Sequence, residues 1–233
     1  MNNCFSKTGQ LLLVGTALAL AALVGTALAV DTVKTTKVKP IAKVKLPKYK
    51  NADFYKDGKF QVEVAKQAYF DMMAAYNYPV PEFLRTNMWA TDFGLGDFTR
   101  VGMAGVFWVN EEKDGYFAHE IYLLPSQMIV EHGHEATTKG KAKMESWQVR
   151  HGSIYTFGEE GGPIHAGVTL PPSQEKFITV KKCYEMQPGD IRKLNRVSAK
   201  HFMMGGAQGA IVSEYATFHD GEGLRFTNPG VKF

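Results

Sequence analysis

Past residue 76 no long segment of the chain carries helical periodicity, and this restriction does most to decide the fold. Apolar, aromatic and β-branched runs follow one another instead. Val101–Val109, Phe117–Leu124, Met128–His134, Met144–Arg150, Ser153–Phe157, Phe177–Val180, Cys183–Met186 and Gly209–Thr217 are the candidate strands. Asp114-Gly115, Leu124-Pro125-Ser126, Glu160-Gly161-Gly162-Pro163 and Gln187-Pro188-Gly189-Asp190 are the turns that part them. Many short strands with Gly/Pro turns imply an all-β sandwich or barrel, and a jelly roll suits this number. Before them, Val62, Ala65, Tyr69, Met72, Met73 and Tyr76 recur at spacings of three and four. That spacing predicts one amphipathic helix over Phe60–Tyr76, closed by Asn77-Tyr78-Pro79-Val80-Pro81.

The N-terminus has a different character. Lys7 precedes an apolar stretch from Leu11 to Val24, and Ala27-Leu28-Ala29 has the small-x-small form of a cleavage site. Residues 1–29 are expected to be a signal peptide, so that the mature chain is exported and not embedded in a membrane. The alternative is an uncleaved anchor, since Leu11 to Val30 is long enough to span a bilayer. The formal charge of +4 is unevenly spread: seven lysines and Asp31 put +6 on residues 31–50, Lys7 adds one, and residues 51–233 carry −3. Residues 30–58 therefore form an expected basic flexible arm, and residues 59–233 a single mildly acidic domain. With no interleaving of aromatic and basic residues, nucleic acid is not an expected partner. Once Cys4 is removed with the leader, Cys183 stands alone and no internal disulfide is available.

Chemistry concentrates between Glu131 and Arg150. His132 and His134 are two apart, and on a strand residues two apart share a face. Lys143, Glu145 and Trp147 share one in the same way. Two imidazoles and a carboxylate make an incomplete ligand set for a divalent metal. His201, about a dozen residues after Pro188-Gly189-Asp190, is the best candidate to complete it. His119 and His151 read as outer or surface residues, and His165 as a candidate for a pocket mouth.

Several ordered segments resemble the D-lyxose isomerase (D-lyxose ketol-isomerase) family of the cupin superfamily. They are Asn87-Met88-Trp89-Ala90-Thr91-Asp92-Phe93-Gly94-Leu95-Gly96-Asp97-Phe98, Glu131-His132-Gly133-His134, Lys143-Met144-Glu145-Ser146-Trp147, and Pro188-Gly189 followed by His201. Val212-Ser213-Glu214-Tyr215-Ala216-Thr217 and Phe226-Thr227-Asn228-Pro229 complete the set. The resemblance implies a cupin jelly-roll barrel behind the N-terminal helix. It implies a divalent metal on His132, His134, Glu145 and His201, usually Mn2+, with Zn2+, Co2+ or Fe2+ as alternatives. It also implies a small-molecule sugar facing Lys143 and Glu214, and interconversion of D-lyxose with D-xylulose and of D-mannose with D-fructose.

Such a reaction moves a proton between C2 and C1 through a cis-enediol. Glu214 is the expected proton carrier, because one carboxylate can lose and regain a proton on the same substrate face. Lys143 would add positive charge beside an oxygen. Trp147, Phe107, Trp108, Tyr215 and Glu222 are weaker candidates for the pocket wall. Cupin barrels often pair, so a homodimer is expected. Two departures bear on substrate choice: His119-Glu120 stands where the family often has Glu-Lys, and Leu224 where a carboxylate is common, with Asp220 or Glu222 as substitutes from the loop. Residues 136–142 also lengthen the link between the metal motifs. The competing expectations are another metal cupin enzyme, such as a dioxygenase, and a non-catalytic cupin that binds carbohydrate or metal.

Overall fold

The computed structural model describes residues 45–233. The expected leader over residues 1–29, and residues 30–44 of the expected arm, lie outside them. The arm's last residues are folded rather than free. A 3-10 turn at Asn51–Phe54 leads into a small hairpin, β1 (Tyr55–Lys56) and β2 (Lys59–Phe60). Phe54 is wholly buried, with its ring centroid 4.6 Å from that of Phe98. Tyr49 Oη donates to Asp71 Oδ2 at 2.5 Å. Tyr49 and Phe54 tie this segment to the domain.

Helix α1 (Val62–Ala75) lies within the span marked by apolar spacing, and it buries Ala65, Ala68, Tyr69, Met72 and Met73. These pack in one cluster with Ala104, Val106, Tyr122 and Ile211. Pro81 precedes a second helix, α2 (Glu82–Asn87), whose six residues are too few to show a period in the sequence. Met72 is 1% exposed and central to the helix–sheet contact. Met72→Ala is expected to cost about 2–5 kcal/mol of stability, read from urea unfolding.

The strands follow in chain order as β3 (Trp89–Thr91), β4 (Met103–Glu111), β5 (Tyr116–Leu123), β6 (His132–His134), β7 (Glu145–Gly158), β8 (Lys182–Met186), β9 (Ile191–Lys193), β10 (Phe202–Thr217) and β11 (Leu224–Phe226). Seven form one antiparallel sheet in the order β3-β4-β5-β10-β7-β8, with β9 also paired to β7. Strands β6 and β11 form a separate antiparallel pair. Single bridges join His132 to His201 and Met128 to Met204, so residues 128–132 run beside the start of β10. The architecture is a strand-rich domain of antiparallel sheets with helices on it, rather than all-β. The main ladder runs from β3 to β8 without returning to its first strand. Among the described residues no helix is long and apolar enough to cross a membrane.

Three of the expected strands need correction. Met144–Arg150 and Ser153–Phe157 are one strand, β7, which passes through Gly152 at φ +71°. A Cβ on Gly152 would stand 2.0 Å from the carbonyl oxygen of Gly209, so only glycine fits where β7 and β10 change register. Phe177–Val180 is not a strand. Glu131 takes its donors instead, accepting from Thr179 N at 2.7 Å, Thr179 Oγ1 at 2.5 Å and Val180 N at 3.1 Å. Buried polar backbone must be satisfied, and here a carboxylate does what a neighbouring strand would do.

Strand parity then fixes which side chains meet. On β5 and β10, Ile121, Leu123, Ala210 and Val212 enter one core cluster. Their sequence neighbours Tyr122 and Ile211 enter the cluster under α1. The sheet is therefore buried on both faces, and residues of opposite parity on one strand serve different cores.

Candidate metal centre and its surroundings

The inward face of this sheet carries a cleft lined by Trp89, Phe107, Phe117, Trp147 and Phe226 together with charged and imidazole side chains. β6 brings His132 and His134, β7 brings Glu145, and His201 stands just before β10. One ligand atom from each of these four residues lies within 4.8 Å of the others. Three of them, His134, Glu145 and His201, are at most 4% exposed.

The rings are aimed by the backbone. His132 Nδ1 lies 2.9 Å from the carbonyl oxygen of Val130, and His201 Nδ1 2.9 Å from that of Ala199. A carbonyl only accepts, so each Nδ1 carries the proton and leaves the lone pair of Nε2 for the centre. Glu145 Oε1 lies 2.6 Å from His201 Nε2 and 3.2 Å from His134 Nε2. His134 Nε2 and Glu145 Oε1 are buried without a hydrogen-bond partner. Buried polar atoms of this kind need an explanation. A bound divalent cation would supply one, and three imidazoles with a carboxylate are a suitable donor set. This His/His/Glu/His cluster is consistent with a divalent-metal site.

A line of charge leads away from it. Lys143 Nζ is 3.0 Å from Glu145 Oε2 and also pairs with Glu214 Oε1. Glu214 Oε2 is 2.9 Å from His119 Nδ1. Lys143 also sits 4.6 Å above the ring of Phe117. Burial works against the Lys143 ammonium, but Glu145 and Glu214 outweigh it and hold its pKa above the ordinary lysine value. Burial likewise opposes the Glu145 anion, and Lys143, His201 and His134 together keep its pKa well below the usual carboxylate range.

The imidazoles divide. Burial lowers His119, and burial with its His201 and His134 neighbours takes His132 well below its ordinary value. Burial is also the main cause that pushes His219 down to about 3. For His201, burial is outweighed by Glu145, and the pKa is raised. Burial lowers His151 as well, so four imidazoles are lowered against one raised. The folded state binds fewer protons than the unfolded chain below pH 6.5, and the free energy of unfolding falls as pH falls. The chelated protein is expected to lose thermal stability as pH falls from about 6.5 toward 4. Melting curves followed by circular dichroism read this directly.

The structure brings Lys143, Glu214, Trp147 and Phe107 to the same cleft as the four residues of the cluster. It does not bring Tyr215 or Glu222 there. Tyr215 has the opposite parity to Glu214 on β10, is 43% exposed, and donates to Gln148 Oε1 at 3.1 Å. Glu222 is exposed and pairs with Lys139 at 3.2 Å, while Asp220 accepts from Thr137 Oγ1 at 2.6 Å. Leu224 itself lines the cleft, so the expected carboxylate is replaced by an apolar wall. Trp108 stacks on Phe83 on the outer face, next to the inward-facing Phe107. His151 packs against Tyr76 and Tyr78, and His165 stacks on Tyr155 with half its side chain exposed, so neither lines the cleft.

Sequence reasoning passed over His119, His219 and Trp89 as cleft residues. For His119 the signal was present: Phe117, His119 and Ile121 alternate with Ala118, Glu120 and Tyr122, and share a face with the core residue Leu123. His219 follows the last residue of β10 in a loop, where no period exists to place it.

No protein-family model matches the chain. Among curated proteins it is 34% identical over 143 residues to the D-lyxose ketol-isomerase of Cohnella laeviribosi, a match covering 60% of this chain and 76% of that one. It is 28% identical over 174 residues to the D-lyxose/D-mannose isomerase of Thermosediminibacter oceani, covering 75% and 94%. Among solved structures it resembles the L-ribose isomerase of Cellulomonas parahominis without ligand, with a TM-score of 0.58 at 17% identity over 72% of this chain and 91% of the other. The Acinetobacter sp. DL28 L-ribose isomerase in complex with L-ribose gives a TM-score of 0.58 at 16% identity, over 72% and 91%. At these identities the structural likeness is one of fold.

Proposed function

The chain belongs to the D-lyxose ketol-isomerase family, and from that membership we propose that it is a metal-dependent aldose–ketose isomerase acting on D-lyxose and D-xylulose, and on D-mannose and D-fructose. The observation that carries the proposal is the buried line from the His/His/Glu/His cluster through Lys143 to Glu214. His132, His134, Glu145 and His201 would hold the cation, with Mn2+ as the first choice. When bound, it supplies Lewis-acid polarisation of the oxygens at C1 and C2.

The remaining chemistry belongs to the protein. Glu214 is not one of the four residues of the cluster, lies on the cleft wall, and takes the proton from C2 and returns it to C1 on the same face, while the hydroxyl proton of O2 passes to O1 as the enediol forms and collapses. Lys143 places positive charge between Glu145 and Glu214, where it offsets negative charge developing on the substrate oxygens. Phe117, Trp89 and Phe107 form the aromatic wall beside these groups and limit access of water. Leu224 supports a substrate choice shifted from that of relatives bearing a carboxylate there.

The paired sheets, joined by the His132–His201 and Met128–Met204 bridges, support a cupin jelly-roll barrel. The Leu11–Val24 segment and Ala27-Leu28-Ala29 support export of a mature chain, and the fold class supports a homodimer. N-terminal sequencing of the secreted fraction and light scattering test these two points.

Metal analysis of the purified protein, followed by proton exchange in deuterated water, tests the function. The expected result is about one Mn2+ per chain and deuterium at C2 of D-lyxose or D-mannose. Absence of C2 exchange from both sugars with Mn2+ present would remove the isomerase assignment.

A further inference from the structure

Glu214 is gripped at both oxygens, by Lys143 at Oε1 and by His119 at Oε2. Beside the Lys143 ammonium Glu214 is an acceptor, so His119 Nδ1 carries the proton in the 2.9 Å contact. The other ring nitrogen, Nε2, is buried with no partner. The ring cannot easily turn. Trp89 stacks on it at 5.6 Å and 20°, and Phe107 meets it edge-on at 4.9 Å and 80°. Gly105 on β4 leaves the room beneath, since a Cβ there would stand 2.1 Å from Nε2 and 2.8 Å from Trp89 Cζ2. Register makes the arrangement specific: His119 lies directly opposite Glu214 on β10 and Phe107 on β4.

Parity separates the two residues that depart from the family pattern. Glu120 faces away from the cleft, accepting from Tyr78 Oη at 2.6 Å and Tyr122 Oη at 2.8 Å. Only His119 of the pair reaches the chemistry.

We infer that His119 is a positioning residue for Glu214, a donor held by Gly105, Trp89 and Phe107 that fixes the carboxylate of the proposed proton carrier against the substrate carbon. This rests on the isomerase reading, and adds to it a positioning residue that the four-residue cluster and Glu214 do not include. The role needs a donor at the Nδ1 position and nothing at Nε2.

The test exploits that difference, because an asparagine amide falls near Nδ1 of a histidine and a glutamine amide near Nε2. His119→Leu is expected to lower kcat about 10- to 100-fold, the range for loss of a hydrogen bond to a charged group, with KM and metal content little changed. His119→Asn is expected to recover kcat to within about fivefold of wild type, and His119→Gln to stay near the leucine variant. Equal kcat in the asparagine and glutamine variants overturns the inference, even if the leucine variant fails to fold. Side-chain 15N spectra of the chelated protein give a readout independent of turnover. His119 should appear as the neutral Nδ1–H form, and Glu214→Leu should move the proton toward Nε2. An Nε2–H form in the unaltered protein overturns the inference as well. If the unaltered enzyme shows no C2 exchange but His119 has the Nδ1–H form, the isomerase reading fails and the contact stands. If it exchanges C2 and His119→Leu keeps full kcat, the reverse holds.

Discussion

Glu214→Gln is expected to lower kcat for aldose–ketose exchange by about two to four orders of magnitude, while bound metal stays at the wild-type level. The span is the usual contribution of one positioned acid–base group. Two features of the site separate the losses. Glu214 is not one of the four ligand residues and meets the cluster only through Lys143, so its amide analogue leaves the ligand atoms in place. It is also 3% exposed and bonded at both oxygens, so the near-isosteric glutamine keeps the packing. The amide cannot shuttle a proton between adjacent carbons, and its NH2 opposes the Nδ1–H of His119. Initial rates with D-lyxose, paired with elemental analysis, check both halves. A kcat within tenfold of wild type would take Glu214 out of the role of proton carrier.

Glu145→Ala should act on binding and folding together. The carboxylate faces His134 and His201 through Oε1 and Lys143 through Oε2. Its removal takes one of four ligands and leaves a buried lysine with half its counter-charge. Breaking a buried pair by deleting one partner costs about 3–5 kcal/mol, far more than an exposed pair would. Two measurements are needed. Metal retained after dialysis should fall from about one per chain to near zero, and urea unfolding in chelator should show the stability loss without the metal's own contribution. His165→Ala, away from the cleft, is the control and should keep its metal. Full retention by Glu145→Ala would break the assignment of this carboxylate as a ligand.

The His/His/Glu/His half of the candidate site is legible in the sequence because strand geometry is nearly deterministic at short range. Two residues apart means one face, so His132 with His134, and Glu145 with Trp147, can be paired on paper. The half around Glu214, proposed to carry the proton, is legible only in part. Glu214 is flagged by resemblance, but its neighbour His119 is 95 positions away, and their meeting depends on the register of β5 against β10. Tyr215 and Glu222 show the limit from the other side. Both are near the right place in sequence, yet one residue of parity turns Tyr215 outward, and a loop ion pair with Lys139 holds Glu222 away. The sheet order needs the same long-range information, as does the clamp by which Glu131 replaces a strand at Phe177–Val180.

The long strand β10 brings Glu214 into the cleft, and His201 stands at its head. The links it makes there close loops of 71 and 95 residues, to Lys143 and His119. Long loops are costly to close before their contacts form, so non-local sites assemble late in folding. Until β10 docks, His132, His134 and Glu145 would be an incomplete form of the proposed chelate. Since divalent ions rank by intrinsic affinity with copper and zinc ahead of manganese, a nascent chain open to all of them would favour the wrong ion. A ligand set that only His201, at the head of β10, completes would leave the choice of metal to the compartment in which folding ends.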